Sequence, residues 1–190
     1  MNTLLSVLLG IGLSAACGFR IFVPFLLVGI AARTGHVMLG TSFAWMATTP
    51  ALIVLGVATV VEIGAYYIPW LDHLLDVVAT PAAVVAGMVM TASVVTGLDP
   101  MLKWTLALIA GGGIAGTVQA LTVGTRKVSL LTTGGLGNPV VSTVELVGSV
   151  LLTLLAIALP LLAFAVIAWA LFFGVRHLLR LIRRAGGTVA

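Results

Sequence analysis

Charged side chains are scarce in this chain. Asp, Glu, Lys and Arg make up only 7% of its 190 residues, while hydrophobic residues make up 61%. Since an ordinary soluble domain carries about 25% charged residues, the composition excludes a water-soluble globular protein. The pattern also argues against a membrane β-barrel, because its strands alternate polar and apolar residues, whereas residues 139–174 form long apolar stretches. The sequence therefore predicts an all-α fold, a polytopic transmembrane helix bundle.

Cysteine and recognisable catalytic motifs are also scarce or missing. Cys17 is the only cysteine, so the chain cannot form an intrachain disulfide. The sequence holds no Walker loop, no His-Glu-x-x-His pair and no nucleophile elbow. We therefore expect neither an enzyme nor a cofactor.

The net charge of +4 is concentrated at the C-terminal end of the chain. A basic cluster just outside a span is typical of the cytoplasmic side of a membrane, so we expect a cytoplasmic C-terminus. So few arginines beside a membrane anchor do not indicate nucleic-acid binding, and the expected partners are the lipid bilayer and a small solute or ion. The four arginines of this cluster are Arg176, Arg180, Arg183 and Arg184.

Hydrophobic runs separated by polar, proline or glycine residues predict about six spans of about 20 residues each. They leave no room for a soluble domain, so residues 1–190 form a single transmembrane domain with a short tail at 185–190. The run at the N-terminus lacks the basic flank of a cleaved signal, so we expect an uncleaved first span. The last boundary allows five spans if Pro160 kinks one long helix, but the length favours two helices. The predicted spans are 4–32, 50–69, 81–98, 104–125, 140–159 and 161–179.

The six spans divide into two sets of three, with halves at 1–99 and 100–184. A shift of 106 positions superposes three residues of the first span on three of the fourth. Two repeats with an odd number of spans are inverted, an arrangement that many secondary transporters use around a site at the bilayer midplane. In this six-span arrangement, Arg126 and Lys127 lie in a cytoplasmic loop. The superposed residues are Gly10, Gly18 and Arg20 on Gly116, Gly124 and Arg126.

Arg20 lies well inside the first apolar run. A charged residue at the centre of a membrane helix costs about 2.5–3.5 kcal/mol on insertion scales, so it needs compensation. Gly18 and Pro24 bracket a place where the helix can break and expose backbone groups to a ligand. Glu62 is the expected partner of Arg20, and Tyr66 lies one turn further along the same face. Snorkelling of Arg20, or a purely structural bridge between Arg20 and Glu62, stays an open alternative.

Glu145 has the corresponding position in the second half, on one face with Ser142. The glycine-rich segment before it ends in Asn138 and Pro139, which predicts that Asn138 caps the following helix with Pro139 at its first position. Because a helix N-terminus attracts anions, the segment is also a candidate wall of a binding site.

Two further segments carry weaker signals. Residues 69–81 read as a short interfacial helix, whose polar side holds Asp72, His73 and Asp76. These three are weak candidates for a metal site, and a solvated polar face is the alternative. Gly112 and Gly116 permit close helix contact, either within the chain or in a homodimer.

The chain resembles a bacterial family of small integral membrane proteins catalogued as domain of unknown function 4126. An Asp often follows the last Glu of that family's pattern, whereas this chain has Leu146. The resemblance implies a multi-pass protein of the bacterial cytoplasmic (inner) membrane and implies no activity. It rests on Gly18, Phe19, Arg20 and Pro24, on Glu62, Pro69, Asp72 and Asp76, and on Gly137, Asn138, Pro139, Ser142 and Glu145.

Intramembrane charges beside broken helices lead to the functional expectation. We expect a secondary transporter or a channel-like permease for a small solute or ion, with Glu62 carrying a proton or cation. Arg20 then binds an anionic group or keeps the carboxylate charged until substrate displaces it. The alternative is a non-transporting membrane scaffold or lipid-interacting protein in which an Arg and Glu bridge is structural. The expected binding residues are Arg20, Glu62, Tyr66, Asn138, Ser142 and Glu145.

Overall fold

The chain folds as a bundle of helices. A computed structural model describes the backbone of residues 2–186 and the side chains of residues 2–68, 77–174 and 176. Every regular element in this part is helical, as the composition predicts. The elements are α1 (Thr3–Phe19), α2 (Phe22–Arg33), a 3-10 helix (Thr41–Ala47), α3 (Thr49–Ala65), α4 (Pro69–Val94), α5 (Pro100–Leu106), a π-helical segment (Ala107–Gly112), α6 (Gly113–Thr133), α7 (Asn138–Ala158) and α8 (Pro160–Gly186).

Several of these helices are long and apolar enough to cross a membrane. By length and composition they are Val77–Val94, Pro100–Thr133 and Asn138–Ala158. A fourth span results if the 3-10 helix and α3, which meet at 67°, count as one broken span. The outer surface is apolar, with Leu131 85% exposed, whereas Glu145 is 3% exposed. This distribution suits a lipid environment, while the total of six spans and the inverted repeat stay predictions.

Residues 4–32 form two helices instead of one continuous span. The loop after α2 lies beside the end of α4, since the Gly40 N–H donates to the Ser93 carbonyl at 2.8 Å. Thr3 lies there too, because a Cβ added to Gly97 would be 3.0 Å from its hydroxyl oxygen. We call this the Thr3 end of the bundle and the opposite one the Leu136 end. Helix α1 therefore starts at the Thr3 end, the chain turns inside the protein, and α2 finishes at the Thr3 end again.

Pro24 explains where the turn lies. In a continuous helix its ring would clash with the carbonyl of Arg20, and it has no N–H to donate. Arg20 instead has extended backbone angles (φ −144°, ψ 133°), and α2 begins at Phe22. Pro24 is then the third residue of α2, where an N–H would have no partner within the helix.

Helix α6 extends past the predicted boundary at residue 125 and ends at Thr133. Gly134 follows in the left-handed conformation (φ 63°), which is the usual glycine stop signal. The prediction that Arg126 lies in a cytoplasmic loop is therefore wrong, since Arg126 is inside α6 and only 2% exposed. The basic residue was mistaken for a span end because its compensating carboxylate comes from another helix.

The glycine-rich stretch packs inside the chain, against α4. A Cβ on Gly87 would lie 2.6 Å from the Gly111 carbonyl oxygen, and a Cβ on Gly111 would lie 2.6 Å from that of Gly87. Ser14 of α1 joins the same contact, where its hydroxyl lies 2.6 Å from the Thr91 hydroxyl. Close backbone approach thus holds α1, α4 and the π-helical segment before α6 together. A homodimer through this stretch stays a prediction.

Pro160 separates two helices, as the length of the last apolar region predicts. Helix α7 ends at Ala158, and α8 begins at Pro160. Both helices approach Gly12 of α1, where an added Cβ would lie 2.7 Å from the Ala156 Cβ and 3.5 Å from that of Ala163. Helix α8 therefore starts beside the middle of α1, and it runs towards the Leu136 end because Ile167, one turn after Ala163, packs against Ala15 and Val118.

Substitution of Gly111 tests the glycine contact. Gly111→Ala should lower the free energy of unfolding by about 1–3 kcal/mol, since its Cβ meets the Gly87 carbonyl and Thr91. Gly113→Ala is the matched control, because it lies two positions away with nothing within 4 Å; it should be neutral or slightly stabilising. Denaturant unfolding in detergent micelles, followed by circular dichroism, measures both. Equal losses of stability would contradict the contact.

Side-specific cysteine labelling tests the turn between α1 and α2. In a Cys17→Ala background, Asn2→Cys and Met38→Cys should react with an impermeant maleimide from one side of the membrane. Leu136→Cys should react from the other side. All three positions are exposed. If Asn2→Cys reacts together with Leu136→Cys, residues 4–32 cross the membrane once and the turn is wrong.

Candidate functional site

Three charged side chains meet inside the bundle. Arg126 donates to Glu145 twice, from Nε to Oε1 at 3.1 Å and from Nη2 to Oε2. Arg20 reaches the same carboxylate, with its Nη2 3.5 Å from Oε2. Arg20, Arg126 and Glu145 are 1%, 2% and 3% exposed. One carboxylate from α7 therefore compensates two guanidinium groups, one from the end of α1 and one from α6. We call these three residues the charged cluster.

Tyr66 adds a second form of compensation. Both guanidinium groups lie over its ring, with the Cζ atoms of Arg20 and Arg126 3.9 Å and 4.1 Å from the ring centroid. The face of an aromatic ring attracts cations. The repulsion between two buried arginines is thus offset by a carboxylate and an aromatic ring.

The turn between α1 and α2 determines the position of Arg20. Its extended backbone takes the side chain out of the helical path, where Nη2 donates to the Ser142 carbonyl at 3.0 Å. The Ser142 hydroxyl in turn donates to the Tyr66 carbonyl at 3.4 Å. The end of α1, the end of α3 and the first turns of α7 are therefore joined by hydrogen bonds at the charged cluster.

Glu62 does not pair directly with Arg20, so the expected partnership is wrong. Its carboxylate instead accepts the backbone N–H groups of Ile21 at 2.7 Å and Phe22 at 3.0 Å. These N–H groups lack partners within α2 because they stand at its start, and the positive end of the helix dipole favours a carboxylate there. The sequence predicts an ion pair between Arg20 and Glu62. The turn instead exposes two backbone N–H groups, and the Glu62 carboxylate accepts hydrogen bonds from both.

The remaining expected residues also lie near the start of α7. Asn138 is 6% exposed and is the first residue of α7, with Gly137 at the cap position, so the predicted capping role of Asn138 is wrong. Ser142 belongs to a buried polar face that continues along α7 with Ser149 and Thr153. The Ser149 hydroxyl donates to the Ala16 carbonyl at 3.1 Å.

Arg20 and Gln119 retain buried N–H donors without acceptors, and the Ser129 hydroxyl likewise has no hydrogen-bond partner. The Nε and Nη1 atoms of Arg20 have no hydrogen-bond partner, nor has the Nε2 of Gln119. Gln119 is 3% exposed and lies on the buried face of α6, two turns before Arg126. Buried donors normally have acceptors, because an unmade hydrogen bond costs about 1–3 kcal/mol.

Two apolar grooves lie beside the site, one lined by Glu145 of the charged cluster and the other by Glu62 and Tyr66. The first, which we call the Glu145 groove, has a volume of about 670 Å³ and lies between α1, α6, α7 and α8. The second, the Glu62 groove, has a volume of about 630 Å³ and lies between α2, α3 and α4. Besides Glu145, the walls of the first include Phe19, Val118, Thr122, Leu152 and Ile167. Besides Glu62, those of the second include Phe22, Val57, Tyr66 and Ala79.

The four charges around the site cancel. Arg20 and Arg126 are opposed by Glu62 and Glu145, so their formal charges sum to zero. These residues come from α1, α6, α3 and α7, which lie far apart in the sequence. A polar solute can bind among these four side chains, whose formal charges cancel. The two grooves beside them have mainly apolar walls.

Arg126 and Gln119 were missed as site residues. Arg126 carried a usable signal, since the shift of 106 positions places Arg20 on it. Gln119 carried none beyond being a lone amide in an apolar run. The weak metal candidates Asp72, His73 and Asp76 lie in the first turns of α4, and their side chains are outside the described residues.

A family model described as Domain of unknown function (DUF4126) matches residues 7–180. No curated protein and no solved structure matches the chain. The match spans α1 to α8, including the turn between α1 and α2 and the whole charged cluster.

Neutralising each glutamate separately tests the cluster. Glu145→Gln should lower the free energy of unfolding by about 3–5 kcal/mol, because it leaves two buried guanidinium groups uncompensated. Glu62→Gln should cost about 1–2 kcal/mol, since the amide oxygen still accepts one N–H of α2. Urea or SDS unfolding in micelles gives both values. Similar losses for the two variants would show that Glu145 is not the central compensating charge.

Proposed function

The chain belongs to the DUF4126 family, whose description assigns no activity, and we propose from the geometry of its own site that it is a secondary transporter or channel-like permease for a small solute or ion. The observation that carries the proposal is Arg20, which is 1% exposed at a turn between two apolar helices and keeps two donor atoms unpaired. Ionisable residues inside membrane segments are costly and mark solute pathways. Broken helices supply the binding groups in many transporters.

The two grooves support a route to this site. Glu145 lines one groove, and Glu62 and Tyr66 line the other. Tyr66 also lies over both guanidinium groups, so a movement of its ring changes the contacts of the charged cluster and the wall of the Glu62 groove together. In this proposal, Tyr66 is the gate between the Glu62 groove and the charged cluster.

Each residue then has a role in the proposal. Arg20 binds the solute, and Glu145 holds Arg126 in place beside it. Glu62 carries a proton or cation, because it is partly exposed towards a groove. Its carboxylate accepts hydrogen bonds from two neutral backbone N–H groups, those of Ile21 and Phe22. Ser142 and Asn138, at the start of α7, complete the polar wall.

The proposal includes two related halves of the chain, in which the turned pair α1 and α2 takes the place of the predicted first span. The shift of 106 positions supports it, since the two superposed arginines, Arg20 and Arg126, both contact Glu145 and both lie over Tyr66. Internal repeats bring equivalent residues to a shared site near the bilayer midplane.

We also propose the bacterial cytoplasmic membrane as the location, with the C-terminus in the cytoplasm. The direction of α8 supports it, because this helix runs towards the Leu136 end with Arg176 near its far end. Lys127 lies in the same direction along α6. Basic residues gather on the cytoplasmic side of membrane proteins.

A lipid-interacting scaffold is the second candidate function. The apolar walls of both grooves favour it, because acyl chains would fill such grooves without any solute. In that case the charged cluster only joins α1, α6 and α7, and no substitution within it alters a flux.

Flux into proteoliposomes tests the transporter. Stopped-flow light scattering with gradients of potassium lactate, sodium nitrate, potassium chloride and ammonium chloride should reveal a protein-dependent flux of at least one ion. Arg20→Ala and Glu62→Gln should each reduce it by about tenfold or more, the effect of losing an interaction worth about 1.4 kcal/mol.

Arg33→Ala is the matched control, because Arg33 is exposed and its guanidinium bonds Thr49 outside the site. It should leave the flux unchanged. Folded, reconstituted Arg20→Ala and Glu62→Gln variants with normal flux would refute these roles, and absence of any protein-dependent flux would favour the scaffold.

A further inference from the structure

The site already described also indicates the class of its solute. We propose that the permease binds a small monovalent oxyanion or carboxylate, held by the free donors of the Arg20 guanidinium. This inference rests on the proposed function and adds the charge and chemistry of the solute to it.

Arg20 is buried but retains unpaired hydrogen-bond donors. Its Nη2 donates to the Ser142 carbonyl at 3.0 Å and lies 3.5 Å from Glu145 Oε2. Its Nε and Nη1 have no acceptor, although the side chain is 1% exposed. A guanidinium group cannot lose its proton in a protein and offers only donors. The missing partner of Arg20 is therefore a hydrogen-bond acceptor.

Glu145 does not supply that acceptor, because it approaches Nη2 of Arg20, at 3.5 Å, and not the unpaired Nε or Nη1. Both of its oxygens already accept from Arg126, one from Nε at 3.1 Å and the other from Nη2. The geometry is that of a two-point arginine and carboxylate pair. Arg20 has only the longer contact to one of these oxygens. A second carboxylate or oxyanion, carried by the solute, would accept a hydrogen bond from Nε or from Nη1 of Arg20, since these two donors lie on different edges of the guanidinium plane.

Gln119 provides an independent observation. Its Nε2 is a third buried N–H group without an acceptor, and it lies on the face of α6 that also carries Arg126. Gln119 lies two turns of α6, or about 10 Å, before Arg126, so it adds a further unpaired donor along this helix. The unpaired donors on α1 and α6 lack acceptors, which an anion supplies and a cation does not.

Binding to the purified full-length protein tests the inference directly. Sodium lactate and sodium nitrate should each raise its melting temperature in a saturable way, whereas tetramethylammonium chloride at equal ionic strength should not. Arg20→Lys should weaken the apparent affinity by about tenfold or more, because lysine cannot reproduce the planar donor set. Gln119→Leu, which removes an unsatisfied donor without adding a charge, should fold and weaken it by about three- to tenfold. Arg33→Gln should not change it.

An anionic lipid headgroup shares this chemistry, so the protein is reconstituted in vesicles of phosphatidylcholine alone and of phosphatidylcholine with phosphatidylglycerol. Lactate- and Arg20-dependent stabilisation in phosphatidylcholine alone supports a soluble anion. Stabilisation by phosphatidylglycerol alone, with no effect of lactate or nitrate, overturns it.

The flux measurement separates this inference from the proposed function. An Arg20-dependent flux of potassium or ammonium, with no flux of lactate or nitrate, refutes the anion and leaves the permease standing. Saturable anion binding that requires Arg20, with no flux of any ion, refutes the permease and leaves an anion-binding membrane protein. Anion effects that are equal in the native protein, Arg20→Lys and Gln119→Leu are general salt effects and overturn the inference.

Discussion

The interior of this bundle depends on one carboxylate that compensates two buried arginines. Glu145 bonds Arg126 through both oxygens and lies 3.5 Å from Arg20. Each of the three residues alone would be costly in an apolar interior. Together they hold the end of α1 and the middle of α6 against the first turns of α7. Tyr66 brings the end of α3 to the same place.

Around this cluster the usual order of a soluble protein is reversed. Many apolar residues face outwards, while serine, threonine and glutamine side chains join buried apolar residues in the contacts of α1, α6 and α7. The hydrophobic effect does not favour helix association in lipid, so close backbone contact and interhelical hydrogen bonds must do so. Gly87 against Gly111, and Ser149 against the Ala16 carbonyl, provide these two kinds of contact.

The sequence predicts the helical membrane fold and the residues that need compensation, but it does not predict which residues meet. Arg20 and Glu145 stand out because a charge inside an apolar run is locally visible. The break near Pro24 is also local, since proline excludes a continuous helix there. The return of α2 and its contact with Glu62 cannot be predicted from the local sequence, because they depend on the packing of α3 beside α2. Arg126 looked like the end of a span for the same reason, as its partner lies on α7.

The zero sum of the four charges at the site has a consequence for energetics across the membrane. A membrane potential does work of about 2.3 kcal/mol per elementary charge per 100 mV on a charge that crosses it. A rearrangement that carries Arg20, Arg126, Glu62 and Glu145 together moves no net charge. In the proposed permease, the unloaded protein would therefore change conformation with little sensitivity to voltage, and the charge of the solute would determine whether transport is electrogenic.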